Sequence, residues 1–412
     1  MKRLSDALRP GARVFAPALS GESPLLLAEL AEDPERARDV HFIGVQFPGI
    51  GKADYLALHP TVRQTAFFMS PSVRRGMDEN RADLLSLDYP GIVRFLEAME
   101  PVDVAYAQLS PPDAKGNCTA GLCSDFLPLV WQQARRRVAH INPALPRTRG
   151  FFTVHVSELH DTVEAESPLL TFAEPPASDV EEGIGRHVAT LIHDLDTLQF
   201  GIGSVPVALA ASLTGHRRLK LHTGMVSEAV RRLWEAGALD RDSRITTGVA
   251  LGSPDFYRFV AEHPRIWFSD VGRTHDIGTI SAIPRFVAIN SAIEVDLFGQ
   301  VNSERANGSI QAGAGGLPAF AQGALRSRGG RSLICMAATA KRGTVSRIVP
   351  TLNDQGLCTL PRHLADVVVT EHGIAELRGL SLDARAQALI AIAAPEHRDT
   401  LADTWDRMQR KF

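Results

Sequence analysis

Leu198-Gln199-Phe200-Gly201-Ile202-Gly203-Ser204-Val205-Pro206-Val207-Ala208-Leu209 is the stretch that decides the fold class. An apolar run ends in Gly-x-Gly, passes a small residue and enters a segment with proline near its start. This reads as a strand turning into a helix. Glycines let the backbone approach a ligand with no Cβ in the way. Proline at a first helical position costs no hydrogen bond, and a helix N-terminus presents N–H groups to an anion. A tight strand–helix turn that holds nothing explains the same residues.

Outward from this stretch the pattern repeats. Short β-branched runs at residues 13–16, 40–45, 102–106 and 137–141 alternate with amphipathic segments such as residues 23–31, where Leu26, Leu27 and Leu30 recur at helical spacing. Strand–helix alternation predicts an α/β fold with a mostly parallel sheet. The alternation breaks at residues 161–179, DTVEAESPLLTFAEPPASD, which read as a linker. Ser178 or Asp179 then caps a new helix with acidic residues in its first turn. A second series starts at Thr197. Two domains are expected, at residues 1–175 and 176–412. Residues 382–392 and 400–412 look helical.

The chain has 412 residues, two to three domains at roughly 150 residues each. It is 44% hydrophobic and 22% charged, ordinary for a globular protein. Lys plus Arg number 44 against 47 for Asp plus Glu, a net charge of −3. Without a basic excess, nucleic acid is excluded as the main partner. The longest apolar runs, such as residues 205–213, fall short of the ~20 residues that span a bilayer, so no membrane partner is expected. MKRLSDALRP at the start has no apolar core of signal-peptide length. The four cysteines, Cys118, Cys123, Cys335 and Cys358, lack zinc-site spacing, and a chain of this size needs no staples. They are expected to be reduced thiols in a cytoplasmic protein with no metal.

Three further stretches carry potential chemistry. In residues 219–228 a strand leads into His222-Thr223-Gly224. His222 is a candidate general base or a satisfied histidine at a strand end. In residues 308–318 four glycines make a loop that can turn its N–H groups onto an oxyanion. A flexible surface loop is the alternative, though Ile310, Leu317 and Phe320 make it unusually apolar. In residues 288–302, Glu294 and Asp296 share one face of an amphipathic strand, either an acid/base pair or a solvated face.

These pieces stand among other text: FFMSPSVR at residues 67–74, LSPPDAKG at 109–116, Ile348-Val349-Pro350, and ADVVVTEHGIAELRG at 365–379. Together they resemble the acetyl-CoA hydrolase/transferase family, in particular its butyryl- and 4-hydroxybutyrate-type CoA-transferases. The resemblance implies two similar open parallel-sheet domains, usually in a homodimer. It implies coenzyme A and acyl-CoA as substrates, carboxylic acids as the other partners, and no metal. The implied chemistry is ping-pong: a glutamate attacks the thioester, forms an acyl anhydride, and is converted to a glutamyl-CoA thioester. By position, Gly201, Gly203, Ser204 and Pro206 fall in the family's CoA-contacting segment. Gly315 and Gly316 correspond to its oxyanion loop, and Lys341 to a lysine that meets CoA. His275 falls about where a CoA-contacting asparagine is frequent.

The departures concern one pocket. The family's glutamate follows a His-Thr or Tyr-Thr pair, and here His222-Thr223 is followed by Gly224. Places that usually hold Gln, Asp-Phe and Arg read Leu317, Ala319-Phe320 and Gln322. Three expectations follow. The main one is a CoA-transferase with a relocated carboxylate, either Glu228, one helical turn (~6 Å) from a helix starting near Gly224, or Glu294. The second is an acyl-CoA thioester hydrolase, with His222 or Glu228 as base for a water admitted by Gly224. The third is an inactive CoA-ester binding or regulatory paralogue.

Overall fold

Val104–Leu109 reads VAYAQL, and all six residues are buried, as a strand covered on both faces requires. In the computed structural model, which describes residues 2–47, 49–352 and 356–410, this strand belongs to a seven-stranded sheet. The strand order is Ala82–Leu84, Arg63–Ala66, His41–Ile43, Arg13–Phe15, Val104–Leu109, Arg136–Ile141, Asp161–Glu164, and every neighbouring pair is parallel. The order turns back at Arg13–Phe15, so the sheet opens a crevice at the carboxyl end of that strand. Helices start where the local chemistry says they should. Ser23 Oγ accepts the Leu26 N–H at 3.2 Å, Ser70 Oγ that of Val73 at 3.1 Å, and Asp88 Oδ1 that of Gly91 at 2.9 Å. Each capping residue is followed within two positions by proline. Phe67, Phe68, Tyr89, Phe126 and Trp131 fill the core beneath them.

The chain forms two compact units. Met1–Ala173 make the first, joined by two later stretches, Gly224–Ser227 and Arg244–Thr274. Glu174–Thr223, Glu228–Ser243 and His275–Phe412 make the second. The second unit carries a six-stranded sheet in the order Lys220–Leu221, Thr197–Gln199, Phe286–Ser291, Arg331–Cys335, Val367–Thr370, Gly373–Glu376. Only its last pair is antiparallel. Here the order turns back at Thr197–Gln199. The helix Asp179–Leu191 opens with a capping box, Ser178 N–H donating to Glu181 Oε2 at 2.9 Å. Leu382–Ala391 and Pro395–Gln409 close the unit, with buried Trp405 donating to Asp383 Oδ1 at 2.9 Å. Lys411 and Phe412, expected to extend the last helix, lie outside the described residues.

Several expectations change. The supposed linker begins as a strand: Asp161–Glu164 is the edge of the first sheet. Asp161 is buried there between Lys2 and Arg136, each at 2.5 Å. An edge strand needs little apolar text when ion pairs hold it. The helix after Gly224 starts later than expected, at Glu228–Glu235, because Met225–Val226 pair in parallel with Val249–Ala250. Gly224 and Glu228 therefore have no helical i,i+4 relation. Pro206 is the third residue of Ser204–Ser212, not the first. Asp296 is fully buried and accepts the N–H groups of Phe298 at 3.1 Å and Gln300 at 2.8 Å. It shapes a turn, so it neither pairs with Glu294 in acid/base work nor faces solvent. The four cysteines are unbridged, and only Cys358 is exposed. Among the described residues no helix is long and apolar enough to cross a membrane, and no group of three or more metal-ligating side chains is assembled.

Candidate functional site

At the carboxyl end of Thr197–Gln199 the chain enters Phe200-Gly201-Ile202-Gly203 and then Ser204–Ser212. Gly203, at φ +115°, caps this helix without a side chain, leaving its first-turn amides without intrahelical acceptors. A Cβ at Gly201 or Gly203 would meet nothing within 4 Å, so both positions face open space. Ser204 Oγ donates to Glu181 Oε1 at 3.3 Å. Pro206 is buried in the first turn, where its missing N–H leaves no broken bond. The neighbouring strand delivers His222-Thr223 beside the turn. His222 N–H donates to Leu198 O at 3.2 Å, and Thr223 Oγ1 to Phe200 O at 2.8 Å. This places two of the sequence motifs side by side where the sheet order reverses.

Behind them lies a histidine–phenylalanine cluster. The His222 ring meets Phe286 edge-on at 6.0 Å, Phe286 stacks with Phe320 at 6.2 Å, and Phe320 lies 4.5 Å from His275. Burial, with His222 as the second cause, pulls His275 down to about 3. It is therefore a neutral imidazole at physiological pH. The glycine pair now has two separate explanations. Gly315 adopts φ +60°, and a Cβ on Gly316 would stand 2.6 Å from His275 Nε2 and Cδ2. Gly316 also caps Leu317–Arg326, so the loop ends as a helix N-terminus and not as a flexible surface loop. Leu317, Ala319 and Phe320 are buried. Gly316→Ala is expected to cost about 1–3 kcal/mol through overpacking against the ring, read as a lower urea midpoint. Unchanged stability would show that His275 moves aside freely.

Glu294 and Lys341 lie together elsewhere in the second unit. They line a cavity of about 240 Å³ with Asn302, Arg305 and Arg347. Glu294 Oε1 accepts from Asn302 Nδ2 at 2.9 Å, and the same amide nitrogen donates to Arg305 O at 2.8 Å. Three cationic side chains around one carboxylate suit a polyanion such as phosphate. Glu228 is half-buried at the first position of its helix, and the following Ala229 N–H donates to Glu174 Oε1 at 3.4 Å.

Gly224 belongs to the first unit, where its carbonyl accepts the N–H groups of Gly248 and Val249, each at 3.0 Å. Its near neighbour there is a residue the sequence reading passed over. Asp125 is 8% exposed at φ +40°, and burial pushes its carboxyl up to about 7. A single acid inside CTAGLCSDFLPLVW, residues 118–131, was the available signal.

Residues 252–405 match the family model described as the acetyl-CoA hydrolase/transferase C-terminal domain. Over 408 residues the chain is 35% identical to the 4-hydroxybutyrate coenzyme A transferase of Clostridium kluyveri, covering 96% of this chain and 93% of that one. The crystal structure of RipA from Yersinia pestis is similar at a TM-score of 0.91 and 27% identity, over 99% of this chain and 97% of RipA. The 4-hydroxybutyrate CoA-transferase from Porphyromonas gingivalis is similar at 0.81 and 30% identity, over 100% of this chain and 97% of that one. Full-length kinship at this identity, on the same α/β architecture, means that the chain belongs to the acetyl-CoA hydrolase/transferase family.

Proposed function

We propose that this protein binds acyl-CoA thioesters and moves CoA between short carboxylic acids. The observation that carries the reading is the open Gly201–Ser204 turn. It sits where the second sheet reverses its order, and its uncapped helix start faces space that no side chain fills. Kinship with 4-hydroxybutyrate CoA-transferases supplies the reaction class. In this reading the amides after Gly203 meet the CoA, and Lys341, with Arg305 and Arg347, meets its phosphates. Neutral His275 offers a hydrogen bond without a charge. The amides that follow Gly315 and Gly316 steady the tetrahedral oxyanion, and His222 packs the floor of this cluster. No metal takes part. Position 224, directly after His222-Thr223, is where the family's glutamate is expected, and glycine there leaves the exchange in need of another carboxylate. The working form is a homodimer in the cytoplasm, the first part of which light scattering checks.

The geometry separates ligand effects from fold effects. Gly201→Ala has steric room, so its melting temperature is expected to match the parent while CoA affinity falls at least about tenfold, some 1.4 kcal/mol. Calorimetry that finds equal affinity removes the turn from the site. With butyryl-CoA and acetate, appearance of acetyl-CoA supports transfer. Free CoA released without any acceptor favours a hydrolase instead. Binding with neither product favours a regulatory paralogue.

A further inference from the structure

Two hairpins of the second unit line one cavity, and the charges in it do not neutralise each other. One hairpin pairs Arg305–Ala306 with Ser309–Ile310, the other Thr339–Ala340 with Val345–Ser346. Arg305, Lys341, Arg347 and Glu294 all line the cavity. Among the described residues Glu294 forms no ion pair with any of these cations. It is held by an uncharged partner instead. Glu294 Oε1 accepts from Asn302 Nδ2 at 2.9 Å. Asn302 is itself locked, because it is 1% exposed and its Oδ1 accepts the N–H groups of Glu304 at 3.0 Å and Arg305 at 2.9 Å. One carboxylate oxygen is thereby fixed, and the other takes no protein donor among the described residues.

The hairpin turns are set before any ligand arrives. Lys341 at φ +50° and Arg342 at φ +58° are consecutive non-glycine residues with left-handed backbone. Such strain persists only where the surroundings impose it, and it clusters at ligand clamps. Here Thr344 Oγ1 donates to Lys341 O at 2.9 Å, and His397 Nε2 donates to Gly343 O at 3.1 Å from the start of the last helix. In the other hairpin the Arg305 guanidinium donates to Gly308 O at 2.7 Å, across the turn it flanks. Groups held in place beforehand lose little freedom on binding.

A lone phosphate would use the cations and be repelled by the carboxylate. A ligand that presents a phosphate with a hydroxyl on the adjoining carbon satisfies both signs at once. CoA has one such place, the ribose that carries a 3′-phosphate beside a free 2′-hydroxyl. Its pyrophosphate has no donor on the adjoining carbons. The cavity, about 240 Å³, is smaller than the ~300–1,000 Å³ of sites that enclose a whole drug-sized ligand, so it takes a piece of CoA. We propose that it reads the 3′-phosphorylated ribose, with Arg305, Arg347 and Lys341 on the phosphate and Glu294 accepting the 2′-hydroxyl. The inference rests on the CoA-transfer reading above, and it makes Glu294 a specificity residue in place of a nucleophile. Hydrogen bonds to ionised partners are the strong ones, and a ligand lacking the phosphate or the hydroxyl leaves its partners unpaired.

The test is calorimetry on the unaltered protein with CoA, 3′-dephospho-CoA and 2′-deoxy-CoA. Loss of either the phosphate or the hydroxyl is expected to weaken binding at least about tenfold. Glu294→Ala should no longer distinguish CoA from 2′-deoxy-CoA, while still binding dephospho-CoA at least about tenfold more weakly than CoA. Equal affinity of the parent for all three ligands overturns the inference and leaves the CoA-transfer reading standing. So does a penalty for dephospho-CoA with none for 2′-deoxy-CoA. So does an acyl adduct on Glu294 after incubation with butyryl-CoA, because a carboxylate that meets the thioester cannot also meet the ribose. A parent protein that binds no CoA overturns the reading and the inference together. The three ligands are compared on the parent, so the result stands even if the variant fails to fold.

Discussion

Asp125→Asn is expected to grow more stable relative to the parent as pH rises from 4 to 7, and to hold that advantage above 7. The sign follows from burial. The Asp125 carboxyl moves from 3.8 to about 7 on folding. Below 4 it is protonated in both states and favours neither. Between 4 and 7 the unfolded chain ionises while the folded protein keeps its proton. The folded state then binds more protons, and stability falls as pH climbs. The full difference is on the order of 4 kcal/mol. Asparagine carries no charge and escapes it. The titratable neighbours Tyr89 and Cys123 are both raised by burial and stay neutral through this window, so neither contributes a slope. Urea unfolding of both proteins at pH 4, 5.5, 7 and 8 measures the divergence. Parallel curves would show that Asp125 is hydrated in the folded protein.

Gly224→Glu is expected to raise CoA transfer at least about tenfold, equivalent to 1.36 kcal/mol of barrier. Gly224 is not among the glycines with left-handed backbone, unlike Gly203 and Gly315, so a side chain there brings no conformational strain. The variant is expected to carry an acyl adduct on residue 224 after incubation with butyryl-CoA, read by peptide mass mapping. No gain, with butyryl-CoA binding intact, would mean that restoring the carboxylate alone does not restore the exchange.

Some of this was legible locally. A hydroxyl or carboxyl that can reach an amide three residues on favours a helix start, so Ser178 announces its own helix. A glycine that takes positive φ does so within a few residues of chain, as at Gly203. Where tertiary partners decide, the local reading failed. Met225–Val226 sits beside a good helix but pairs with Val249–Ala250, which only the folded chain brings alongside. Asp161–Glu164 looks like linker text because its stability comes from Lys2 and Arg136. Asp296 reads as a surface acid until the turn at Phe298–Gln300 is seen to close around it.

The sequence by itself determined the α/β class, the strand–glycine–helix turn at Gly201–Ser204 and the absence of a side chain at 224. Each of these is set by near neighbours, through backbone sterics, capping and hydrophobic period. Only the tertiary structure decided that Gly316 makes room for His275, that Lys341 joins Arg305 and Arg347 around one cavity, and that Asp125 stands beside Gly224. Those juxtapositions join residues far apart along the chain. They arise from strand order and buried hydrogen bonds, which no local pattern encodes.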